Sequence, residues 1–276
     1  MVQLLQAFVD EGFDVTFAST AAATDHSHDL NGLGISTASI LLNDSSFNAF
    51  VAQLKPEIVV FDRFMVEEQF GWRVAEAVPQ AIRILNTEDL HSLRKARETC
   101  LKVGEAFDTK KWMQFPMTQR EIASVYRSVL SLLVSTFELS LLKVVFRIEA
   151  DLLYHLPFLL KRIESETSKN WNGYDQRTDF VCFGNGKHAP NIDTIHYLKK
   201  EIWPLIRKEL KEANLHIYGA YLPQGVLELH QPKTGFLIHG WEERLDEKLQ
   251  DHRVNLAPLR FGAGIKGKLT QSMQNG

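Results

Sequence analysis

The sequence predicts an α/β protein made of two Rossmann-like domains that face a cleft. Apolar segments with strand character alternate with amphipathic helical segments along the chain. A polar stretch at residues 161–177 interrupts this alternation, which then starts again. A glycine-rich turn, Phe261-Gly-Ala-Gly-Ile-Lys266, follows an apolar segment near the end. We therefore expect an amino-terminal domain over residues 1–165 and a carboxy-terminal domain over residues 178–276.

The elements of the first half follow from hydrophobic periodicity, which repeats every two residues in strands and every 3.6 in helices. The predicted strands are 14–18, 36–41, 57–61, 81–85, 129–134 and 152–156. The predicted helices are 2–11, 45–54, 66–77, 90–107 and 137–146. A doubly wound sheet normally opens on a strand, and this chain opens on a helix. The pattern therefore predicts that the founding strand of the first domain is missing.

The second half repeats the same alternation. The predicted strands are 179–183, 215–218, 237–239 and 254–257. Asn191 is expected to cap a helix that runs to residue 213 with a kink at Pro204, and shorter helices are expected over 224–230 and 243–250. A last helix is expected to open at the glycine turn. It reaches Gly276 with no return strand, so the pattern predicts that carboxy-terminal elements are missing too.

Composition excludes several classes of protein. With 276 residues, 45% hydrophobic and 24% charged, the chain has the composition of a soluble globular protein. A net charge of −3 gives no general attraction to nucleic acid, so no nucleic-acid partner is expected. The two cysteines lie far apart, which indicates a reducing, cytoplasmic compartment. His26 and His28 lack a third ligand at fixed spacing, so no metal is expected.

The glycine turn has the pattern of a phosphate-binding site. Gly262 and Gly264 let the backbone approach a ligand, and the first N–H groups of the following helix would point at it. Lys266 and Lys268 oppose the helix dipole by about 0.3–1 kcal/mol each, which a bound anion would offset. The alternative interpretation is an ordinary strand–turn–helix whose glycines only permit tight packing.

A second candidate site follows the predicted strand 81–85. Asp89, His91 and Arg94 come just after it, where open α/β sheets collect ligands, and the last two share a helix face. The alternative is that Asp89 caps the helix and its neighbours are solvated.

Five segments of the second half carry a resemblance to a known family. They are Phe180-Val-Cys-Phe-Gly184, Ala189-Pro-Asn-Ile-Asp193, Glu201-Ile-Trp-Pro204, Leu215-His-Ile-Tyr-Gly219 and Ala257-Pro-Leu-Arg-Phe-Gly-Ala-Gly-Ile-Lys-Gly-Lys268. In this order and spacing they resemble the carboxy-terminal domain of GT-B-fold glycosyltransferases of the family-4 type. The first half is similar more loosely, through residues 86–94. The resemblance implies sugar transfer from a nucleotide-sugar donor to an acceptor, with retention, and without a catalytic metal or a separate cofactor.

The resemblance also implies roles for particular residues. The donor diphosphate would meet Gly262, Ala263, Gly264 and Ile265, with Lys266 or Lys268 neutralising it and Arg260 as an extra cation. The first turn of the second domain, Gly184, Asn185 and Gly186, would contact phosphate or sugar, and Tyr218 would lie near the nucleobase. The catalytic residues of the first domain would be Asp89, His91 and Arg94, which contact the acceptor or the sugar.

Two departures from the family pattern leave alternatives open. Gln271 stands where the family usually has a glutamate that binds the ribose hydroxyls, and Phe261 stands where many members have an acid near the sugar. The acceptor could be a glycan, a lipid-linked molecule or a small molecule, and a lipid-linked acceptor would bring the protein to a membrane surface. One alternative is a truncated, non-catalytic homologue. Another is a dinucleotide-dependent oxidoreductase, although the turn at Gly184 and Gly186 lacks the third glycine of that motif.

Overall fold

The chain folds into two compact α/β units in a computed structural model that describes residues 1–22, 27–160, 162–164 and 171–276. The first unit comprises Met1–Ala96 and Phe107–Lys161, and the second comprises Arg97–Ala106 and Arg162–Gly276. All strand pairs within the sheets are parallel, which confirms the predicted fold class. The sequence did not indicate that residues 97–106 group with the second unit, and the predicted domain boundaries stay a prediction.

The first unit contains two parallel sheets. A two-stranded sheet pairs β1 (Thr16–Ser19) with β2 (Ser36–Ser39), and a four-stranded sheet has the order β3 (Ile58–Asp62), β4 (Ile82–Glu88), β5 (Leu130–Leu133) and β6 (Leu153–His155). Its helices are α1 (Val2–Asp10), α2 (Ser46–Leu54), α3 (Phe64–Ala77), α4 (His91–Val103, whose last turns belong to the second unit), α5 (Thr109–Gln114), α6 (Pro116–Arg127) and α7 (Thr136–Val145).

Two helices of the first unit were not predicted. The long helix expected over 90–107 ends at Val103, where Gly104 takes a φ of +72°. The side chain of Asp108 then caps α5, and Pro116 occupies the first turn of α6. The first unit buries its apolar residues where these helices meet the sheet. Its fully buried side chains include Leu85, Leu90, Leu93, Trp112, Leu133 and Leu142.

The second unit has one sheet with the order β10 (His252–Asn255), β7 (Thr178–Phe183), β8 (Leu215–Tyr218) and β9 (Phe236–Gly240). Its helices are α8 (Ala189–Tyr197), α9 (Trp203–Glu209), α10 (Gln224–Leu227), α11 (Leu245–Asp251) and α12 (Gly267–Gln274). One face of the sheet packs in the core around Trp203, Leu215 and Phe236. This strand order places the last strand, β10, beside the first strand of the unit, β7, as in a doubly wound sheet.

Two predicted details of the second unit, the cap at Asn191 and the start of the last helix, are wrong. Asn191 does not cap α8, because the helix begins at Ala189 and Asn191 is its third residue. The irregularity expected at Pro204 is a π-helical turn, Leu198–Ile202, just before α9. The physical reason is that proline has no N–H for the helical ladder.

The last helix begins at Gly267 and not at the glycine turn, where the sequence predicted its start. Gly264 has a φ of +64°, which lies outside the right-handed helical region, so Gly262, Ala263, Gly264 and Ile265 form a loop before the helix. Over the described part of the chain, no helix is both long and apolar enough to cross a membrane.

Candidate functional site

The glycine loop of the second unit leads into a helix whose first turn carries only basic charge. Lys266 is the amino-terminal flanking residue of α12, and no side chain caps this end. The first turn of α12 contains no acidic residue. Within the described ranges, neither Lys266 nor Lys268 forms an ion pair with a carboxylate. The helix end and the two lysines therefore leave positive charge uncompensated.

The four loop residues predicted to meet a diphosphate differ in what their backbone requires. Position 264 favours glycine because of its positive φ. Gly262 does not, because a Cβ built there would meet no atom within 4 Å. The carbonyl oxygen of Gly262 accepts a hydrogen bond of 2.7 Å from Nη1 of Arg97, which also belongs to the second unit. Ile265 exposes 40% of its surface and Ala263 is half-buried.

Lys268 is the partly buried cation of this site. Its Nζ donates a hydrogen bond of 2.7 Å to Oδ1 of Asn191. Burial lowers the pKa of Lys268, and the nearby charge of Lys266 lowers it further. The sequence predicts only a capping role for Asn191 and gives no sign of its contact with Lys268.

The turn after β7 is hydrogen-bonded to the end of β8 and to the turn that follows it. The N–H groups of Gly184 and Gly186 donate to the carbonyl oxygens of Tyr218 at 3.0 Å and Ala220 at 2.8 Å. A Cβ at Gly186 would lie 2.2 Å from the carbonyl oxygen of Tyr221. The glycines of this turn thus permit close packing against the neighbouring turn. The phosphate or sugar contact predicted for Gly184, Asn185 and Gly186 stays a prediction.

Tyr218 lies in a cluster of histidines. Its buried ring stacks on His239 with centroids 4.7 Å apart, and His239 stacks on His216 at 5.1 Å. His252 contacts His216 edge-on at 4.7 Å. The side chain of Tyr218 therefore has a packing role, and its predicted place near a nucleobase stays a prediction.

Arg260 and Gln271 already have partners within the second unit. The guanidinium group of Arg260 pairs with Asp193 through two contacts, one of them 3.0 Å from Nε to Oδ2. This pairing raises the pKa of Arg260 and compensates its charge. Nε2 of Gln271 donates to Oδ1 of Asp246 at 2.9 Å. Asp246 of α11 thus supplies a carboxylate beside the position where the family pattern has glutamate, which the sequence did not indicate.

A cavity of about 500 Å³ opens within the second unit beside these groups. Its lining residues are Glu98, Leu101, Lys102, Gly186, Lys187, Ala189, Ile192, Asp193, His196, Arg260 and Phe261. The predicted residues Gly186 and Arg260 therefore share one cavity, and Phe261 forms part of its apolar wall. Charged groups paired beside apolar walls can hold a ligand that has both hydroxyl groups and apolar faces.

In the first unit, the structure brings Asp89, His91 and Arg94 together. Oδ1 of Asp89 lies 3.1 Å from Nδ1 of His91, and its Oδ2 lies 2.5 Å from Nη1 of Arg94. Burial lowers the pKa of His91, and Asp89 partly offsets this effect. Asp89 is therefore an ionic partner of both residues, while other groups satisfy the first N–H groups of α4.

Two buried carboxylates hold the start of α4. Glu121 of α6 accepts hydrogen bonds from the N–H groups of His91 and Ser92, and Glu138 of α7 accepts one of 3.2 Å from Leu90. Burial raises the pKa of Glu121 to about 7. These glutamates lie 29 to 48 residues from the groups they bind, so local sequence patterns carried no signal for them.

No group of three or more His, Cys, Asp and Glu side chains is arranged to hold a metal ion in the portions of the chain that are described. His26 lies outside the described residues. The absence of a metal requirement stays a prediction.

Comparison with known proteins supports the resemblance. Residues 177–276 match the family described as glycosyl transferases group 1. No curated protein matches the chain in sequence. Among solved structures, trehalose-6-phosphate synthase is similar with a TM-score of 0.62 at 9% identity, covering 99% of this chain and 78% of that chain.

Two further solved structures share the fold. The lipopolysaccharide outer core galactosyltransferase WaaB has a TM-score of 0.56 at 11% identity, covering 99% of this chain and 73% of that one. TarM has a TM-score of 0.57 at 12% identity over 83% of this chain, which spans 42% of the length of TarM. At such identities the similarity shows the fold, which is that of GT-B glycosyltransferases.

Proposed function

We propose that this chain, whose residues 177–276 match the glycosyl transferases group 1 family, transfers a sugar from a nucleotide-sugar donor to an acceptor with retention of anomeric configuration. The observation that carries the proposal is the start of α12, which has no side-chain cap and two lysines without carboxylate partners among the described residues. A nucleoside diphosphate would supply the missing negative charge.

Sugar transfer from a nucleotide-sugar donor needs positive charge beside the diphosphate, at the start of α12. The bond between the anomeric carbon and the diphosphate oxygen breaks, and its electron pair stays with the leaving diphosphate. Lys266, Lys268 and the helix end stabilise that developing charge. The acceptor hydroxyl passes its proton to an oxygen of the leaving diphosphate as its own oxygen bonds to the anomeric carbon. With two lysines at the helix end, the reaction would proceed without a catalytic metal or a separate cofactor.

The candidate catalytic residues of the first unit are Asp89, His91 and Arg94. Nδ1 of His91 faces the carboxylate and the main-chain oxygen of Asp89, both of them acceptors. This contact places the proton on Nδ1 and leaves Nε2 as the accepting nitrogen. His91 would use Nε2 on a hydroxyl of the sugar or acceptor. Arg94 would hold the carboxylate of Asp89 in place.

The acceptor class stays open within this proposal. The similar folds of trehalose-6-phosphate synthase and a lipopolysaccharide galactosyltransferase show that one architecture serves unlike acceptors. A glycan, a lipid-linked molecule and a small molecule all remain candidates, and a lipid-linked one would bring the protein to a membrane surface. We place the reaction in the cytoplasm because the two cysteines are free.

A second candidate is a homologue that binds nucleotide without turnover. Two observations favour it: Phe261 is buried at the place of an acid, and the amide of Gln271 is engaged by Asp246. Such a protein would bind a nucleoside diphosphate and release none from a panel of donors.

Calorimetric titration with uridine, guanosine and adenosine diphosphates tests the proposal, together with diphosphate release from the matching sugar donors. Replacing Lys266 and Lys268 by alanine, singly and together, should weaken binding by about tenfold for each lysine. Lys208→Ala is the matched control, because this lysine is exposed on α9, away from the glycine loop. Unchanged affinity in the double variant would remove the basis of the proposal.

A further inference from the structure

Asn191 links the turn that precedes α8 to the first turn of α12 in the second unit. It is the third residue of α8 and exposes only 7% of its surface. Its Nδ2 donates a hydrogen bond of 2.9 Å to the carbonyl oxygen of Asn185, in the turn after β7. Its Oδ1 accepts the hydrogen bond of 2.7 Å from Nζ of Lys268, in the first turn of α12. One buried amide thus connects Asn185 with Lys268, which follows Asn191 by 77 positions in the chain.

The chemistry of the two partners determines the orientation of this amide. The carbonyl oxygen of Asn185 can only accept a hydrogen bond, and the ammonium group of Lys268 can only donate. The side chain must therefore present an N–H on one side and an oxygen on the other. Aspartate would place an oxygen against the carbonyl of Asn185, and leucine would leave both partners unsatisfied.

Gly184 makes room for this amide. A Cβ at Gly184 would lie 2.5 Å from Nδ2 and 2.6 Å from Cγ of Asn191. Because real Cβ atoms do not approach so closely, any larger residue at 184 would displace the Asn191 side chain. The glycine of the first turn is thus explained by the side chain that it accommodates.

A neutral amide holds Lys268 without neutralising it. Arg260 in the same unit is paired with Asp193, and Lys102 with Glu98, so the charges of those two cations are compensated. Asn191 instead gives Lys268 a fixed hydrogen bond and no opposing charge. Asn191 limits the directions that a long, flexible side chain can take, which reduces the entropy cost of binding an anion.

We propose that Asn191 is a positioning residue, which holds the ammonium group of Lys268 beside the glycine loop with its charge available to an anion. The inference rests on the proposed function for the identity of that anion, a nucleoside diphosphate. The contact between Asn191 and Lys268 can be tested without any ligand.

The first test measures the protonation of Lys268 by NMR in protein labelled with ¹³C at the lysine ε carbons, with Lys268→Arg used to assign the signal. Asn191→Asp should raise the pKa of Lys268, because a carboxylate favours the ammonium form. Asn191→Ala should broaden or shift the signal, since the hydrogen bond is lost. Thr194→Ala is the matched control: Thr194 is buried in the same helix and bonds Pro190 instead. The inference is wrong if both Asn191 variants retain the wild-type pKa and line shape.

The second test measures affinity for the nucleoside diphosphate that binds wild-type protein most tightly. Asn191→Asp should weaken binding by about tenfold, because the new carboxylate compensates Lys268, and Asn191→Ala should weaken it by about threefold to tenfold. Thr194→Ala should bind as wild type does. Equal affinities in all four proteins would overturn the inference even if nucleotide binds.

The two tests separate the two proposals. If no nucleoside diphosphate binds wild-type protein, the proposed function fails, and the NMR titration alone decides whether Asn191 positions Lys268. If nucleotide binds and its affinity depends on Lys268 but not on Asn191, the proposed function stands and the inference fails. Circular dichroism melting curves for each variant exclude loss of folding as the cause of weaker binding.

Discussion

Oε1 of Glu121 lies 2.8 Å from the main-chain nitrogen of His91, and Oε2 of the same carboxylate lies 3.1 Å from that of Ser92. One buried side chain of α6 therefore caps the start of α4, which carries the candidate catalytic histidine. The start of α4 is already capped by a carboxyl group of the protein, whereas the start of α12 has no side-chain cap. This contrast distinguishes a structural helix end from a candidate anion site.

Replacing Glu121 by glutamine should destabilise the first unit by about 1–3 kcal/mol at pH 8, because one of the two main-chain N–H groups would face an amide N–H. Urea unfolding followed by circular dichroism measures this change. Glu68→Gln is the matched control, since Glu68 pairs with Arg120 at an exposed site and should cost less than about 1 kcal/mol. Equal effects of the two substitutions would contradict the capping role.

The raised pKa of Glu121 predicts a particular pH dependence of stability. Burial lifts this pKa from 4.5 to about 7, so the folded state binds a proton more tightly than the unfolded state. The stabilisation from this group is complete below pH 4.5 and is lost as the pH rises through about 7. Unfolding free energies of wild type and Glu121→Gln, measured from pH 4.5 to 8, should therefore differ in slope. Parallel curves would show that Glu121 does not titrate in this range.

The histidine cluster of the second unit, His216, His239 and His252, should give the opposite pH dependence of stability. Burial lowers the pKa of His239 and of His252, and the nearby His216 lowers both further, so the folded state resists protonation. Unfolded histidines titrate near about 6.5, so stability should fall as the pH drops below that value. His239→Gln should reduce this loss, as measured by urea unfolding at pH 5 and 7.5. His28→Gln, at an exposed position, is the control and should leave the loss unchanged.

Replacing glycines of the second unit by alanine should change the stability of the protein by very different amounts. Gly186→Ala should destabilise by about 1–3 kcal/mol, because its Cβ would collide with the backbone at Tyr221. Gly264→Ala should cost about 1 kcal/mol because of its positive φ. Gly262→Ala meets open space and should change stability by less than about 0.5 kcal/mol. Thermal melts of the three variants check the order, which a destabilised Gly262→Ala protein would contradict.

Gln271→Glu should not by itself improve ribose binding. The new carboxylate would face Asp246 at the place of a 2.9 Å hydrogen bond, and like charges at this exposed site should cost about 0.5 kcal/mol. The pair Gln271→Glu with Asp246→Asn restores one charge and one amide and should recover the stability. Nucleoside diphosphate titrations should show tighter binding in the double variant than in Gln271→Glu alone. Equal binding by the two variants would show that Asp246 takes no part, and weaker binding by the double variant would contradict the prediction.

The sequence by itself determined the α/β class, the order of the strands and most strand positions. The strand Leu215–Tyr218, for example, was predicted with its observed bounds. Such segments can be predicted because burial in a sheet imposes a short-range alternation of apolar residues. The position of Asp89, His91 and Arg94 just after a strand could also be predicted, whereas the contacts of Asp89 with both other residues came from the structure.

Only the tertiary structure decided which polar groups meet. It moved the start of the last helix to Gly267, paired Arg260 with Asp193, and brought Glu121 to His91 and Asn191 to Lys268. These partners lie 30 to 77 residues apart in the chain. Local periodicity encodes which face of an element is buried, but a hydrogen bond between two elements depends on how both pack, and that is set by the whole unit.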